Sequence, residues 1–590
     1  DRTASASNVA VNLNRITTDT LAFQARYNPG NWTGELFAYP VTTDGVGTTP
    51  KWSASIPAVG SRKIFTSNGS NGGISFDWSS LTSAQKTALG SQTDAVKQDI
   101  VNYLRGDQSK EVQNGGTLRS RKSLLGDIIH SSPVFVDNQR SGTARAQTVF
   151  VGANDGMLHA FDATNGQEIF AYVPNLLIGS NLTALSDPAY THRYFADGPI
   201  IVSDYGLTPG KQILVASLGY GGKGLFALDV TNPKSFSATN VKWEFGNDAD
   251  LGLVIGEMLL AKLNNGKTAV IFGNGYNSTN EHAVLFVVDL DTGALIQKID
   301  TGVGSANGLS AVRGWDNDGN GTTDYVYAGD LKGNLWKFDL SDSNPTKWDV
   351  ALKKGNQKQA LFQAQDKNGK AQPITARPSI GANPADGSLW VFFGTGRYLT
   401  TADVSDTSTQ SWYGIIDDGK NDVTRSQLKQ RTIVARGTDP TTKNPVRAFE
   451  LATNGDMNGK KGWYVDLDSG ERMITSAQYY GSVLVQSSII PSNDPCTPGG
   501  TGYVNAIDPF TGAALGTLFF TKYGTLTVGE QKIPVGSVDL GIGMPGQAQI
   551  ESGPQPILIV SGSTGETTST PVNLPNVMPH RVNWRELIRE

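Results

Sequence analysis

The chain has 590 residues, of which 68 are Gly and only 17% are Asp, Glu, Lys or Arg. Ordinary globular domains carry roughly 7% Gly and about 25% charged residues, so this composition indicates many tight turns between short strands and excludes a disordered or fibrous chain. The net charge of -5 offers no basic field to a phosphate backbone, and we expect no nucleic-acid partner.

The first 125 residues predict a mixed α/β lead-in. The stretches LAFQARYNPGNWTGELFAYPV and RKIFTS are typical of strands, whereas residues 82–85 (TSAQ) form a capping-box pattern. Val96, Ile100, Tyr103 and Leu104 lie on one helical face. The chain begins at Asp1 without a charged and then apolar leader, so we expect a processed chain or a fragment of a longer one.

From residue 149 onward one pattern recurs, in which two strands joined by an Asn-Gly or Asp-Gly turn end in an aspartate. The first copy is VFVGANDGMLHAFDATNGQEIF. Seven aspartates end such strands: Asp162, Asp229, Asp289, Asp339, Asp417, Asp466 and Asp508. A propeller blade takes roughly 40 to 50 residues. The repeats therefore predict an all-β fold, a modified seven-bladed β-propeller over residues 126–570, with a large β-sandwich as the alternative.

The end of the chain and its membrane character are predicted from composition. Residues 571–590 are Pro-rich before VNWRELIRE and predict an extended strap with a short terminal helix or strand. The longest apolar runs, such as AVLFVV, fall far below the roughly 20 residues that span a bilayer. We therefore expect no transmembrane segment.

A candidate calcium loop lies in the fourth repeat, within WDNDGNGTTDYVY. Its alternate positions are Asp316, Asp318, Asn320, Thr322 and Asp324. Ca²⁺ takes about 6 to 8 oxygen ligands, and a Gly at the sixth position, here Gly321, allows the sharp turn. The twelfth position holds Tyr327 instead of a bidentate Glu, so we predict a calcium-binding hairpin loop rather than an EF-hand. The alternative is an Asx-rich turn that needs no metal.

Two further motifs are weaker. Arg105-Gly106-Asp107 spells the tripeptide that integrins recognise, but Arg in a last helical turn and Gly at the C-cap are also ordinary helix-ending residues. We favour the helix end. Cys496 is the only cysteine, which excludes an intrachain disulfide, and the scattered histidines do not suggest a locally assembled zinc site.

Many longer stretches resemble the C-terminal region of the PilY/PilC-type proteins, the tip adhesins and biogenesis factors of bacterial type IV pili. They run over nearly the whole chain: NPGNWTGELFAYP, YLRGD, LGDIIHSSPVFV, YFADGP, GGKGLFALDVTNP, AVIFGNGYNS, VVDLDTGALIQKIDTG, DYVYAGDLKGNLWKFDLS, FGTGRYL, GWYVDLDSGERM, DPCTPGG and VNWREL.

This resemblance implies a propeller and a calcium loop at the five positions named above. It also implies secretion through the periplasm to the outer membrane, cell surface or pilus tip, with minor or major pilins as partners. The expected role is to prime assembly, oppose retraction and contact abiotic surfaces or host-cell receptors. Family members usually carry an N-terminal adhesive domain of the von Willebrand factor A type, which this sequence does not contain. Relatives often place a second cysteine near the position of Cys496.

Two other functions stay open. AFDATNG and its copies also resemble the repeat of pyrroloquinoline-quinone dehydrogenases, although such enzymes need a calcium in the central funnel and often a vicinal cysteine pair. A carbohydrate-binding or carbohydrate-hydrolysing propeller is the other alternative, because Asp and Glu are too plentiful to identify or exclude a catalytic pair. We favour the pilus role, which is not enzymatic.

Overall fold

The chain folds into antiparallel hairpins, as the Asn-Gly and Asp-Gly turns of the sequence predict. The computed structural model describes residues 3–13, 15–70, 72–137, 146–493 and 499–574. In the first repeat, Thr148–Ala153 pairs with Met157–Asp162, and Gly156 closes the turn at a φ of 91°, a conformation that favours glycine. Asp162 then accepts hydrogen bonds from the Thr164 amide and hydroxyl, at 2.9 and 2.7 Å. Such Asx turns explain the aspartates that end the strands.

Within the described residues, the strands form eight sheets of three or more strands, here called blades 1 to 8 in chain order. Blade 1 contains Ala10–Val11, Leu21–Asn28, Thr33–Thr42, Gly45–Val46 and Trp52–Ser53. Blade 2 contains Ile64–Ser67, Gly73–Ser75, Val134–Val136, Thr148–Ala153, Met157–Asp162 and Glu168–Val173. Blade 3 contains Ile200–Val202, Ile213–Ser217, Leu225–Asp229 and Val241–Phe245. Blade 4 contains Leu259–Lys262, Thr268–Gly273, Val284–Asp289 and Leu295–Asp300.

The remaining blades are less regular. Blade 5 contains Leu309–Trp315, Tyr325–Asp330, Asn334–Asp339, Asp349–Val350 and Phe362–Gln363. Blade 6 contains Ser379–Ala382, Leu389–Gly394, Ser411–Asp417, Lys429–Arg431 and Gly462–Asp466. Blade 7 contains Ile433–Thr438, Pro445–Phe449, Gln478–Tyr479, Leu484–Ser492, Gly499–Ile507 and Ser537–Val538. Blade 8 contains Gln549–Glu551, Ile557–Ser561 and Thr567–Pro571.

In addition to the strands of the blades, the chain forms short hairpins and helices. The hairpins pair Leu352–Lys354 with Gln357–Gln359, and Thr525–Val528 with Gln531–Pro534. The α-helices are α1 (Ser83–Ala88), α2 (Asp94–Arg105) and α3 (Asn175–Ile178). The 3-10 helices are Val59–Ser61, Val112–Asn114, Leu182–Ser186, Gly219–Gly221, Pro233–Ser235, Ala238–Asn240, Pro345–Lys347, Thr401–Ser405 and Arg425–Gln427. Within the described ranges, no helix is long and apolar enough to cross a membrane.

The core is divided among the contacts between neighbouring blades. Each adjacent pair shares its own cluster of buried apolar side chains, for example the Phe23 and Val149 cluster between blades 1 and 2. The last cluster joins Val9 and Val41 of blade 1 to Ile557 of blade 8. The ring therefore closes by packing of blade 8 against blade 1.

The prediction of seven blades is wrong, because the ring has eight. Asp466 ends a further strand of the blade that already contains Asp417, so two predicted repeats belong to blade 6. Blades 1 and 8 carry no strand-ending aspartate of the repeat type and were missed. Residues predicted as an N-terminal appendage instead supply blade 1, two outer strands of blade 2 and the helices α1 and α2. Most of the predicted strap, residues 575–590, lies outside the described residues.

The strand order fixes the two ends of the ring. In blades 1 to 5 the first strand of the antiparallel ladder lies nearest the central cavity, and the following strands lie progressively farther out; in blade 2 the ladder starts at Val134–Val136. Loops after the first strand therefore lie at one end, here the lower end. Loops after the second strand, and the connections into the next blade, lie at the opposite, upper end. A central cavity of about 800 Å³ is lined from all eight blades, including Val134, Ile200, Ser310 and Gln549.

Candidate metal site

The loop predicted to bind calcium joins Leu309–Trp315 to Tyr325–Asp330, the first two strands of blade 5. Trp315 pairs with Tyr325 across this hairpin, and the Asp324 amide donates to the Trp315 carbonyl at 2.9 Å. The flanks are thus strands, not the helices of an EF-hand. The loop lies at the lower end of the ring.

Three carboxylates converge in this loop. Asp316, Asp318 and Asp324 each place an oxygen within 4.8 Å of the other two. Asp324 is buried, Asp316 is half-buried and Asp318 is exposed. The pKa of Asp316 is raised, chiefly by burial, and the nearby Asp318 and Asp324 carboxyl groups add to the increase. Repulsion of this kind is relieved by a cation or by protonation.

Backbone amides hold the carboxylates in place. The Gly319 and Gly321 amides donate to the two oxygens of Asp316, at 2.9 and 2.7 Å. The Asn317 amide donates to Asp324 at 2.8 Å. Gly319 and Gly321 adopt φ values of 73° and 94°, which a residue with a side chain adopts only with strain. The glycines therefore allow the loop to curl around the carboxylates.

Asn320 and Thr322, the other two predicted ligands, bind each other. The Asn320 side-chain oxygen accepts from the Thr322 amide and hydroxyl, at 3.0 and 2.7 Å. Neither belongs to the carboxylate cluster itself. Tyr327, at the twelfth position, is buried and donates its hydroxyl hydrogen bond to Asp417 at 2.6 Å. Tyr327 therefore does not replace the metal-binding Glu of an EF-hand.

The structure adds Asn264, which the sequence did not predict. Asn264 belongs to the lower-end loop of blade 4, and its amide nitrogen donates to Asp324 at 3.1 Å. Its side-chain oxygen accepts from the Thr322 hydroxyl at 2.7 Å. The neighbouring blade therefore supports the loop. Carboxylate and amide oxygens are the ligand set that a hard cation such as Ca²⁺ prefers, so the residues fit that ion.

Arg105-Gly106-Asp107 forms the end of helix α2. Gly106 is the C-cap at a φ of 118°, and its amide donates to the Tyr103 carbonyl at 2.9 Å. Asp107 accepts from the Ser109 amide at 2.9 Å, and hydrogen bonds from Ser109 lower the pKa of Asp107. Gly106 is buried and both flanking residues are half-buried. The segment is therefore folded into a helix cap. Cys496 lies outside the described residues.

Comparison with known proteins identifies the family. A model of the PilY1 beta-propeller domain matches residues 115–439. The chain is 38% identical over 615 residues to a type IV pilus biogenesis factor PilY1 homolog of Xylella fastidiosa (strain Temecula1), and the alignment covers 98% of this chain and 47% of that protein. The chain belongs to the PilY1 family.

Other family members are similar over most of the chain. The type IV pilus biogenesis factor PilY1 of Pseudomonas aeruginosa (strain PAK) is 37% identical over 562 residues, which cover 82% of this chain and 48% of that protein. The crystal structure of the Pseudomonas aeruginosa PilY1 C-terminal domain matches with a TM-score of 0.60 at 32% identity, covering 72% of this chain and 93% of that one. This PilY1-family chain thus spans about half the length of the curated relatives it matches.

Proposed function

We propose that this chain is the calcium-binding C-terminal propeller of a type IV pilus tip-associated protein. In this role it supports pilus assembly, opposes retraction and contributes to adhesion to surfaces or host cells. Minor or major pilins are the proposed partners, at the outer membrane, cell surface or pilus tip. Membership of a family whose named relatives are pilus biogenesis factors supports the pilus role. We do not propose the dehydrogenase alternative, since no site observation favours it.

The convergence of Asp316, Asp318 and Asp324 carries the calcium part of the proposal. Their side chains and that of Asn320 would supply oxygen ligands, together with the backbone carbonyl of Thr322. A bound Ca²⁺ would neutralise the local negative charge. Because the loop is exposed at Asp318, the site is open to solvent and water completes the ligand set.

A pull-down with purified minor and major pilins tests the pilus role. We expect the chain to retain at least one pilin. The amount of pilin retained in calcium should differ from the amount retained in chelator. An Asp316→Ala, Asp318→Ala double variant should behave in calcium as the wild type does in chelator. Asp386→Ala, in the lower-end loop of blade 6, is the matched control and should respond to calcium normally. Retention of no pilin under either condition would contradict the pilus role.

A further inference from the structure

Two stretches that carry the family resemblance, LGDIIHSSPVFV and YFADGP, take no part in the metal loop. Residues 125–133 and 194–199 of these stretches lie in the connections that enter blades 2 and 3, so they belong to the upper end of the ring. There they supply His130, Tyr194 and Asp197. His130 and Tyr194 belong to a line of aromatic side chains from four neighbouring blades, and Asp197 lies behind His130.

We call this line the aromatic arc: Trp32, His192, Tyr194, His130, Tyr220 and Tyr276. Consecutive ring centroids in this order lie 3.8, 4.9, 5.3, 4.4 and 6.0 Å apart. His130 is exposed and the other five side chains are half-buried, so one part of each ring packs and another part faces solvent. Neighbouring ring planes are inclined by 31° to 88°, so the arc is a line of tilted and edge-to-face contacts at the surface that presents both ring edges and parts of ring faces.

Buried carboxylates fix the two imidazoles of the arc. His130 Nδ1 lies 2.6 Å from Asp197, and His192 Nε2 lies 2.6 Å from Asp127. Asp127 and Asp197 are each 1% exposed. A carboxylate bound to one ring nitrogen sets the orientation of the imidazole and leaves the other nitrogen for a second partner. His130 also lines the central cavity, so its free edge borders that opening.

Backbone strain is concentrated at the same end. Trp32 has a φ of 57°, which is unusual for a bulky side chain. Asn277 and Glu281, in the upper-end loop of blade 4, have φ values of 65° and 54°. Ser305 and Ala306, in the connection to blade 5, have 64° and 53°. Strained conformations of this kind cost free energy and cluster at binding and active sites.

We propose that the aromatic arc binds a linear saccharide chain across the mouth of the central cavity. Ring faces stack on the apolar faces of pyranose units, and the phenol and imidazole groups exchange hydrogen bonds with sugar hydroxyls. The carboxylates behind both imidazoles disfavour a phosphate-bearing chain. The cavity of about 800 Å³ is of the size that ligand sites have. This inference goes beyond the pilus role and is independent of the calcium loop.

Titration calorimetry with cellohexaose and chitohexaose tests this assignment. We expect saturable binding of at least one hexasaccharide, weakened about tenfold by Tyr276→Ala or Trp32→Gly, since each removes one stacked ring. Trp32→Gly also removes the strain of the positive φ, and circular dichroism of both variants checks that they fold. Tyr523→Ala, at a half-buried tyrosine outside the arc, is the matched control and should bind as the wild type does.

Decaproline serves as the competing probe, because proline-rich peptides also dock on aromatic surfaces. Binding of decaproline with the same sensitivity to Tyr276→Ala, and no binding of either saccharide, would overturn the proposal in favour of a peptide ligand. Failure of both hexasaccharides to bind at millimolar concentration would also overturn it, as would saccharide binding that neither arc variant weakens.

Discussion

At the scale of single residues, Asp324 holds the metal loop together. It is 5% exposed, and its two oxygens accept hydrogen bonds from the Asn317 amide and the Asn264 side chain. Ligand charge and rigidity set the affinity of a calcium site, and Asp324 supplies both a negative charge and a fixed position. We therefore expect Asp324→Ala to abolish calcium binding measured by calorimetry.

The wild-type affinity should lie at roughly 10⁻⁶ to 10⁻³ M, because the loop has no bidentate Glu at its twelfth position. The circular dichroism of Asp324→Ala should stay close to that of the wild type, since each blade pair has its own core. Hydrogen exchange should rise only around the blade 5 hairpin. Asp386→Ala is the control. Unchanged calcium binding in Asp324→Ala would show that other residues bind the metal.

A second residue-scale prediction concerns His159, which is fully buried between two carboxylates. Its ring nitrogens lie 2.7 Å from Glu168 and 2.8 Å from Asp155, and Arg62 also pairs with Glu168. Burial lowers the pKa of His159, but the two carboxylates outweigh it and raise the pKa to about 9. We expect His159→Gln to lower the free energy of unfolding by roughly 3 kcal/mol, because it removes a buried cation that two carboxylates hold and leaves Arg62 as the one cation paired with Glu168.

The raised pKa of His159 also determines how its contribution to the free energy of unfolding changes with pH. A raised pKa means that the folded state binds the proton more tightly, so the stabilisation is complete below about pH 6.5 and is lost as pH rises through about 9. Denaturant unfolding at several pH values should therefore show the gap between wild type and His159→Gln narrowing in that window. His282→Gln, which removes a half-exposed pair with Asp300, should cost less than about 1 kcal/mol. Equal losses in both variants would contradict the prediction.

The sequence could predict part of this chemistry. Alternating acidic residues in one short loop are local, so Asp316, Asp318 and Asp324 could be chosen from spacing alone. Asn264 could not, because its contact with Asp324 exists only once blades 4 and 5 pack side by side. The partners of His159 are predictable only in part, because Arg62 reaches Glu168 from the end of the 3-10 helix Val59–Ser61, more than a hundred residues earlier.

At the scale of elements, the structure at the end of helix α2 decides how accessible Arg105-Gly106-Asp107 is to an integrin. The Asp107 amide donates to the Asn102 carbonyl at 3.0 Å, and Arg62 donates to the Arg105 carbonyl at 2.8 Å. An integrin would have to break these cap interactions. We expect the folded chain to bind a purified RGD-binding integrin weakly in a surface assay.

The same assay should give nearly the same signal for Asp107→Glu. Asp99→Glu is the matched control, because Asp99 lies on the same helix and is not part of the tripeptide. Tight binding that Asp107→Glu abolishes and Asp99→Glu preserves, with unchanged circular dichroism, would show that the segment is a functional integrin ligand despite its fold.

The strands could be predicted from the sequence only where a local motif marks their ends. The third strands of blades 2 to 5 end in Asp162, Asp229, Asp289 and Asp339, and these aspartates form Asx turns or cap turns that a sequence pattern records. Blades 1 and 8 turn by other residues and carry no such signal. Their place in the ring is decided by burial of apolar faces against each other, which is a tertiary property.

At the scale of the whole molecule, ring closure depends on the contact of blade 8 with blade 1. Glu551 pairs with Ile557 in the blade 8 sheet and so shares its face, which packs on blade 1 through Ile557 and Val9. Glu551 is 1% exposed, and its Oε2 has no hydrogen-bond partner among the described residues. Burial raises the pKa of Glu551 to about 7. The contact that closes the ring thus contains a carboxyl group that favours its neutral form.

We therefore predict that closure weakens as pH rises. The folded state binds the Glu551 proton more tightly than the unfolded state, so the associated stability is complete below about pH 4.5 and is lost as pH rises through about 7. Glu551→Gln keeps the shape and removes the ionisation. Its thermal midpoint should exceed that of the wild type by clearly more at pH 8 than at pH 5. Glu530→Gln, at an exposed hairpin turn, should show no such dependence. A gap that is the same at both pH values would mean that Glu551 ionises without affecting the contact between blades 8 and 1.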